Sequence, residues 1–269
     1  MTTTTTDRFA EFKAKQREGW AHFLPVEVHT TRPAAHLIRT ARIHAGQSVL
    51  DVGCGTGVTT ITARRTGAKV TGLDLTPQLL ARAKEHATIA GIDDITWKEG
   101  DAENLPFQDG EFDVVISQWG HMFAPQPEVA IGQMLRVLKP GGTIAFTTWP
   151  PESALGQVFG IIARHVPPPP GVAPIVQWGE VETVRKRLGS GVKEIRFFRG
   201  IVEYSALSPQ HYRYEMGLTA APFIKLREML RPEPSKLAQV DGEIDAVFSD
   251  YFWENAVRLE YLQTRATKV

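Results

Sequence analysis

The segment Val49-Leu-Asp-Val-Gly-Cys-Gly-Thr-Gly57 has the residue types of a ligand-binding loop. Three glycines at alternating positions let a backbone approach a bound molecule without Cβ clashes. An apolar run precedes them and a helical pattern follows, so the loop leads into a helix N-terminus. The free N–H groups of such a terminus favour an anionic ligand group. The dinucleotide fingerprint G-x-G-x-x-G is not met, because its third glycine would fall at Val58. No Lys-Ser or Lys-Thr follows the loop, which excludes a P-loop.

Punctuation and periodicity define the elements that must hold this loop. Residues 7–45 read as helical. Phe9, Phe12, Gln16 and Trp20 fall at helical spacing, and a second helix over about 29–44 carries Pro33 near its start and an apolar face of Leu37, Ile38 and Ala41. Strands are predicted at 48–52, 69–75, 95–99, 112–117 and 143–148. Helices are predicted at 58–66, 77–90 and 128–138, the second opened by Thr76 as N-cap and Pro77 at its first position. Lys139-Pro-Gly-Gly142 reads as a tight turn. Beyond residue 150 come a helix at 155–166, a proline-rich stretch at 167–174 and a short helix at 181–188. A strand at 192–205, a proline-broken helical region at 208–250 and a last strand at 257–267 complete the chain. Strands alternating with helices imply parallel strands joined by right-handed crossovers. The near-continuous apolar runs imply a sheet covered on both faces. The expected class is α/β, a doubly wound, mostly parallel sheet of seven strands. N-terminal helices precede it, and an elaborated helical region lies between the later strands.

Composition narrows the function. Lys plus Arg is 30 and Asp plus Glu is 30, a formal net charge of zero that argues against a nucleic-acid-coating protein. The 22% of charged and 42% of hydrophobic residues suit a folded globular chain rather than a disordered one. The single cysteine, Cys54, excludes an intramolecular disulfide and a multi-cysteine zinc site. No apolar run of about 18 residues is present, so no membrane span is expected. The opening MTTTTTDRFAEF lacks a basic region followed by an apolar one, so it is not read as a secretory signal, and Thr2 to Thr6 read as a frayed tail. A soluble, cytoplasmic monomer or homodimer is the expectation. His22, His29, His36 and His44 recur at spacings of 7, 7 and 8, which is not the i, i+4 spacing of a helical metal pair, and no metal is expected.

The later motifs give the loop its context. Val70-Thr-Gly-Leu-Asp-Leu75 ends the second strand in an acid. Glu99-Gly-Asp-Ala-Glu-Asn-Leu-Pro-Phe107 follows the third. Phe112-Asp-Val-Val-Ile-Ser-Gln118 is the fourth, and Leu135-Arg-Val-Leu-Lys-Pro-Gly-Gly142 precedes the fifth. Together with the glycine loop, over about residues 46–149, they resemble motifs I to III of the class I S-adenosylmethionine (SAM)-dependent methyltransferases. The resemblance is closest to the broad type-11 group, with its ubiquinone- and menaquinone-biosynthesis-like enzymes. Pro167-Pro-Pro-Pro-Gly171, Gln177-Trp-Gly179 and Glu260-Tyr-Leu262 are similar to uncharacterised members of that group. The resemblance implies a Rossmann-like fold, SAM as cofactor and S-adenosylhomocysteine (SAH) as product. It implies that Asp51 orients the loop or contacts the SAM amino group, and that Gly53, Cys54, Gly55, Thr56 and Gly57 line the methionine part. Asp74 would hold the ribose, and Leu75 would pack on the adenine. Asp101 and Ala102 would hold the adenine edge, and Ser117 and Gln118 would border the methionine end. Residues 1–269 would form one domain, with an N-terminal helical lid at 7–45, a SAM-binding core at 46–149 and a substrate-side elaboration at 150–269.

The loop after the fourth strand, Gln118-Trp-Gly-His-Met-Phe123, is expected to face the transferable methyl group, which makes His121 the candidate general base. Trp20, Trp119, Met122, Phe123 and Trp178 form a candidate apolar substrate pocket. These point to methylation of a small, apolar or aromatic metabolite, on oxygen first and on carbon or nitrogen otherwise. The alternatives are a non-catalytic SAM-binding protein and a protein or nucleic-acid methyltransferase. The second would carry an Asn/Asp-Pro-Pro-Tyr/Phe motif where this chain has Ser117-Gln-Trp-Gly120.

Overall fold

Alternation along the short central strands decides which helix covers which face of the sheet. The computed structural model describes residues 7–269, with the backbone alone at 24–26; the Thr2–Thr6 run lies outside the described residues. β1 (Ser48–Val52), β2 (Lys69–Asp74), β3 (Thr96–Glu99), β4 (Phe112–Gln118) and β5 (Leu138–Thr148) pair in parallel. β6 (Val192–Ser205) and β8 (Ala256–Lys268) extend the sheet antiparallel, giving the order β3-β2-β1-β4-β5-β8-β6. Val49, Val114, Ile116 and Ala145 pack with Leu37, Ile38 and Ala41 of α2 (Thr31–Ala41) and Ala63 of α3 (Val58–Arg64). Their neighbours Leu50, Val52, Val115 and Phe146 join the larger core, which includes Ile131 and Met134 of α5 (Pro127–Val137) and Val158 and Ile162 of α6 (Ala154–His165). Burying each such side chain contributes roughly 1.5–3 kcal/mol. α4 (Pro77–Ile89) buries Leu79, Leu80, Ala83 and Ala87.

Three local expectations are corrected. Thr76 occupies the N-cap position of α4, but its side chain makes no cap bond there. Pro140-Gly-Gly142 does not interrupt the chain as a tight turn. β5 starts at Leu138 and runs through it, absorbing the irregularity as a register shift against β4 between Phe112 and Val114. The sheet also gains an eighth, two-residue strand, β7 (Phe252–Trp253), which pairs with β8 off the seven-strand path.

Part of the additions to the core lies above the carboxyl ends of the parallel strands. The β6–β8 ladder continues to Ser205 and Ala256, past the last β5–β8 pair at Thr148 and Leu262, so it overhangs that end. α7 (Val181–Leu188), α8 (Pro209–Thr219), α9 (Ala221–Leu230) and α10 (Pro234–Asp250) fill the chain between α6 and β7, with β6 among them. α1 (Ala10–Trp20) packs against α9. A Cβ on Gly19 would stand 2.8 Å from that of Ala221, so only glycine allows this approach. Among the described residues, no helix is long and apolar enough to cross a membrane.

Candidate active site

One cavity opens at the carboxyl ends of β1, β2, β3 and β4, the position at which open α/β sheets bind ligands. Asp51, Gly53, Cys54, Gly55, Thr56, Asp74, Leu75, Asp101, Ala102 and Gln118 lie on one part of its wall. The glycine loop is set by its neighbours. Gly53 and Cys54 donate their amides to Leu73 O, at 2.8 and 3.0 Å. A Cβ on Gly53 would fall 2.7 Å from Gly120 Cα, so the loops after β1 and β4 meet backbone to backbone. Gly55, at φ +54°, would direct a Cβ into open space beside the cavity.

Three carboxylates line this part of the cavity with different pairing. Asp74 accepts from Gly55 N through Oδ2 and from Thr76 N through Oδ1, both at 2.8 Å. Burial raises its pKa, and the backbone donors oppose that rise. Asp51 accepts from Thr60 Oγ1 at 2.7 Å, while its Oδ1 has no partner. Burial pushes Asp51 up to about 7, against the Thr60 hydrogen bond and with help from the charge of Asp74. Asp101 is tied to Lys13, at 2.6 Å. The Lys13 ammonium also meets Asp7 and Glu103, each at 2.7 Å. Burial works against its charge, but these acceptors outweigh that and raise its pKa. One helix, α1, thus reaches over the cavity and is held there by a partly buried ion cluster.

The rest of the wall is apolar. Trp20, Phe23, Phe123, Trp149, Leu155, Phe159, Tyr204 and Met216 line it. Trp20 meets Phe123 at 4.6 Å between ring centres, and Trp119 stacks on Trp149 at 4.5 Å. Trp119 holds φ +58°, a left-handed conformation that costs a non-glycine residue roughly 1–3 kcal/mol. Its amide donates to Thr147 O at 3.2 Å, and the Trp149 stack fixes its ring. Sequence reasoning missed Lys13, Trp149 and Tyr204. Trp149 follows directly on a predicted strand end, a position that could have marked it. Lys13 and Tyr204 carry no such signal, because partners distant in sequence bring them to the cavity.

Several expected site residues lie off the wall. Gly57 packs the loop onto Trp97 and Ala83. Ser117 sits behind it, donating to Val52 O at 2.6 Å and accepting from His121 N at 3.0 Å. Met122 and Trp178 are buried in the core. His121 is also turned inward, with its ring 4.6 Å from those of both Phe146 and Trp178. Neither ring nitrogen has a hydrogen-bond partner. Burial, helped by the charge of Arg187, depresses its pKa to about 3. An inward, neutral imidazole has no geometry for abstracting a substrate proton, which corrects the general-base assignment. Cys54 is buried, and burial, with the charges of Asp74 and Asp51, pushes its thiol pKa up, so it stays protonated. The N-terminal histidines have separate neighbours. His29 stacks on Tyr204, and His36 lies 2.9 Å from the Tyr261 hydroxyl. Among the described residues, no group of three or more potential metal ligands is gathered.

A family model described as a methyltransferase domain matches residues 50–146. The uncharacterised protein Rv1403c of Mycobacterium tuberculosis is 36% identical over 234 residues, 86% of this chain and 85% of its own length. The chain carries this methyltransferase domain and belongs to one family with Rv1403c. The demethylmenaquinone methyltransferase of Thermus thermophilus is 36% identical over 128 residues, 46% of this chain and 58% of that protein. The structure of phosphoethanolamine N-methyltransferase 2 from Haemonchus contortus, in complex with SAM, shares the fold. Its TM-score is 0.55 at 18% identity, over 88% of this chain and 52% of that one. The matched methyltransferase domain makes the chain an enzyme.

The site generates two predictions. Lys13→Met leaves Glu103 buried without its cation, and is expected to lower stability by about 3 kcal/mol, read from urea unfolding. His121 concerns stability alone. Its folded pKa of about 3 lies below the unfolded value of 6.5, so the unfolded chain binds the extra proton between those values. Stability is therefore lost as pH falls through that window. His121→Phe is expected to move the acid-unfolding midpoint to lower pH and to leave SAH affinity within about twofold, checked by circular dichroism and calorimetry.

Proposed function

We propose that this methyltransferase transfers a methyl group to an oxygen atom of a small, apolar or aromatic metabolite. The observation that carries the reading is the division of one cavity into an acidic part, at Asp51, Asp74 and Asp101, and an aromatic part, from Trp20 and Phe123 to Trp149 and Phe159. SAM offers three groups of donors, its ammonium, its ribose hydroxyls and its adenine amine, and the three acids are acceptors suited to them. The unpaired Oδ1 of Asp51 suits the ammonium. The Asp74 oxygens each accept one backbone bond, which leaves lone pairs for the ribose. Asp101 and Ala102 would border the adenine edge, with Leu75 against its face. Gly53, Cys54, Gly55, Thr56 and Gln118 would surround the methionine part, with Gly57 and Ser117 supporting them from behind.

When bound, the cofactor supplies an electrophilic methyl group on a positively charged sulfur. The chain's own contribution is alignment and exclusion of water. Trp20, Phe123 and Phe159 provide a dry wall, and Trp119 is held in its left-handed turn where the two parts of the cavity meet. α1, with Lys13 and the Gly19 contact, would act as a lid over both.

Calorimetry of SAM and SAH tests the cofactor assignment. Asp74→Ala is expected to weaken both at least tenfold, about 1.4 kcal/mol. Asp51 must be ionised to hold an ammonium, and its pKa is about 7, so SAM affinity is expected to fall as pH drops below 7. Asp51→Asn should weaken SAM at pH 8 and flatten that acid limb. Turnover in a screen of small phenols, quinones and hydroxy acids tests the acceptor. Methylation of nitrogen or carbon alone would replace the oxygen assignment.

A further inference from the structure

Among the described residues, the ionisable side chains on the cavity wall are Lys13, Asp51, Cys54, Asp74, Asp101 and Tyr204. Five of these belong to the acidic part. Tyr204 stands among the apolar residues, on the overhanging end of β6, opposite Val257. Its ring is clamped by His29, stacked at 4.2 Å, and by Tyr212, edge-on at 5.4 Å. No described residue supplies a hydrogen bond to its hydroxyl, and Tyr204 lines the cavity, whereas the Tyr212 hydroxyl is sealed in the core. A hydroxyl that faces the cavity with its donor uncommitted can give its hydrogen bond to a ligand oxygen there.

We propose that Tyr204 selects the substrate by donating this hydrogen bond to the acceptor oxygen of a planar, acidic phenol or enol that binds as its anion. The proposal rests on the small-molecule O-methyltransferase reading. Its physical ground is what the aromatic part of the cavity lacks. His121 is turned away, and among the described residues no carboxylate or amine lines that part. Tyr204 itself stays protonated, because burial raises its pKa. The groups facing it are His29, whose pKa burial depresses against the charge of Glu215, and Tyr212, whose pKa burial raises. None of these is a base that touches the cavity oxygen. The substrate must therefore lose its proton to solvent before it binds, which acidic phenols and enols do near neutral pH and aliphatic alcohols do not. An anion in an apolar cavity is costly unless it is paired. The sulfonium charge and the Tyr204 O–H provide that pairing. The oxyanion's lone pair forms the new O–C bond, the S–C bond breaks with its electrons left on sulfur, and the negative and positive charges cancel. The rings of Trp20, Phe123 and Phe159 favour a flat substrate.

Tyr204→Phe keeps the clamped ring and removes a hydroxyl that no described residue uses, so the variant should fold. The probe is 4-nitrophenol, whose anion has its own visible band, titrated into protein saturated with sinefungin, an unreactive analogue with an ammonium in place of the sulfonium. The wild type is expected to bind the phenolate, lowering the probe's apparent pKa by about one unit, a tenfold preference for the anion. Tyr204→Phe is expected to abolish most of that shift, with SAH affinity unchanged within about twofold. Binding of neutral nitrophenol by the wild type, an equal shift in the variant, or no binding of the probe would overturn the proposal. SAH calorimetry separates this from the underlying reading, since loss of SAH binding by folded wild type would strike the cofactor site instead.

Discussion

A single buried carboxylate, Asp74, fixes the geometry on which the cavity depends. It lies at the end of β2 and is 8% exposed, so its charge must be met by fixed donors. It meets them in two backbone amides, one from the glycine loop after β1 and one from Thr76 at the N-cap position of α4. The glycine loop and the start of α4 are thereby held to one side chain. The amides of Gly53 and Cys54 on Leu73 O repeat the tie from the backbone side. With the loop pinned there, Gly53 can touch Gly120, and the loop after β4 takes its place opposite. Moving Asp74 would release all of these contacts together.

The cavity has two kinds of wall because two kinds of element build it. Parallel strands place acids and backbone amides at their carboxyl ends, where chain direction and side-chain alternation fix positions closely. The aromatic wall combines Trp119, Phe123 and Trp149, just after β4 and β5, with residues of α1, α6 and the overhanging β6, elements added around the core. The positions of the added elements depend on packing: Gly19 against Ala221, Lys13 among three carboxylates, and His29 on Tyr204. The Lys13 cluster has a further consequence. It joins α1 to Asp101 and Glu103 in the loop after β3, so the segment roofing the cavity is coupled electrostatically to the acidic part of the wall.

His121 and Trp119 show how two residues apart in one loop can take opposite directions. Trp119, in its left-handed turn, faces the cavity, and the chain then enters a short 3-10 turn that carries His121 into the core against Phe146 and Trp178. Loop position alone marked both as neighbours of the reacting centre. The direction of each side chain followed from one strained φ and from the amide bond of His121 to Ser117 Oγ, neither of which has a residue-type signature.

The sequence by itself determined the alternation of strands and helices, the glycine loop, the acids at successive strand ends and the family. These are local or periodic features: apolar spacing sets which face is buried, and chain direction sets which strand end carries the loops. The tertiary structure alone decided the register shift that carries β5 through Pro140-Gly-Gly142, the inward burial of His121, Met122 and Trp178, and the recruitment of Lys13, Trp149 and Tyr204. Each of these depends on a contact between residues distant in the chain. Lys13 meets Asp101, Trp119 stacks on Trp149, and Tyr204 is set by its pairing with β8 and by His29. Such contacts arise from packing a whole core at crystal-like density. No short window of residues encodes them.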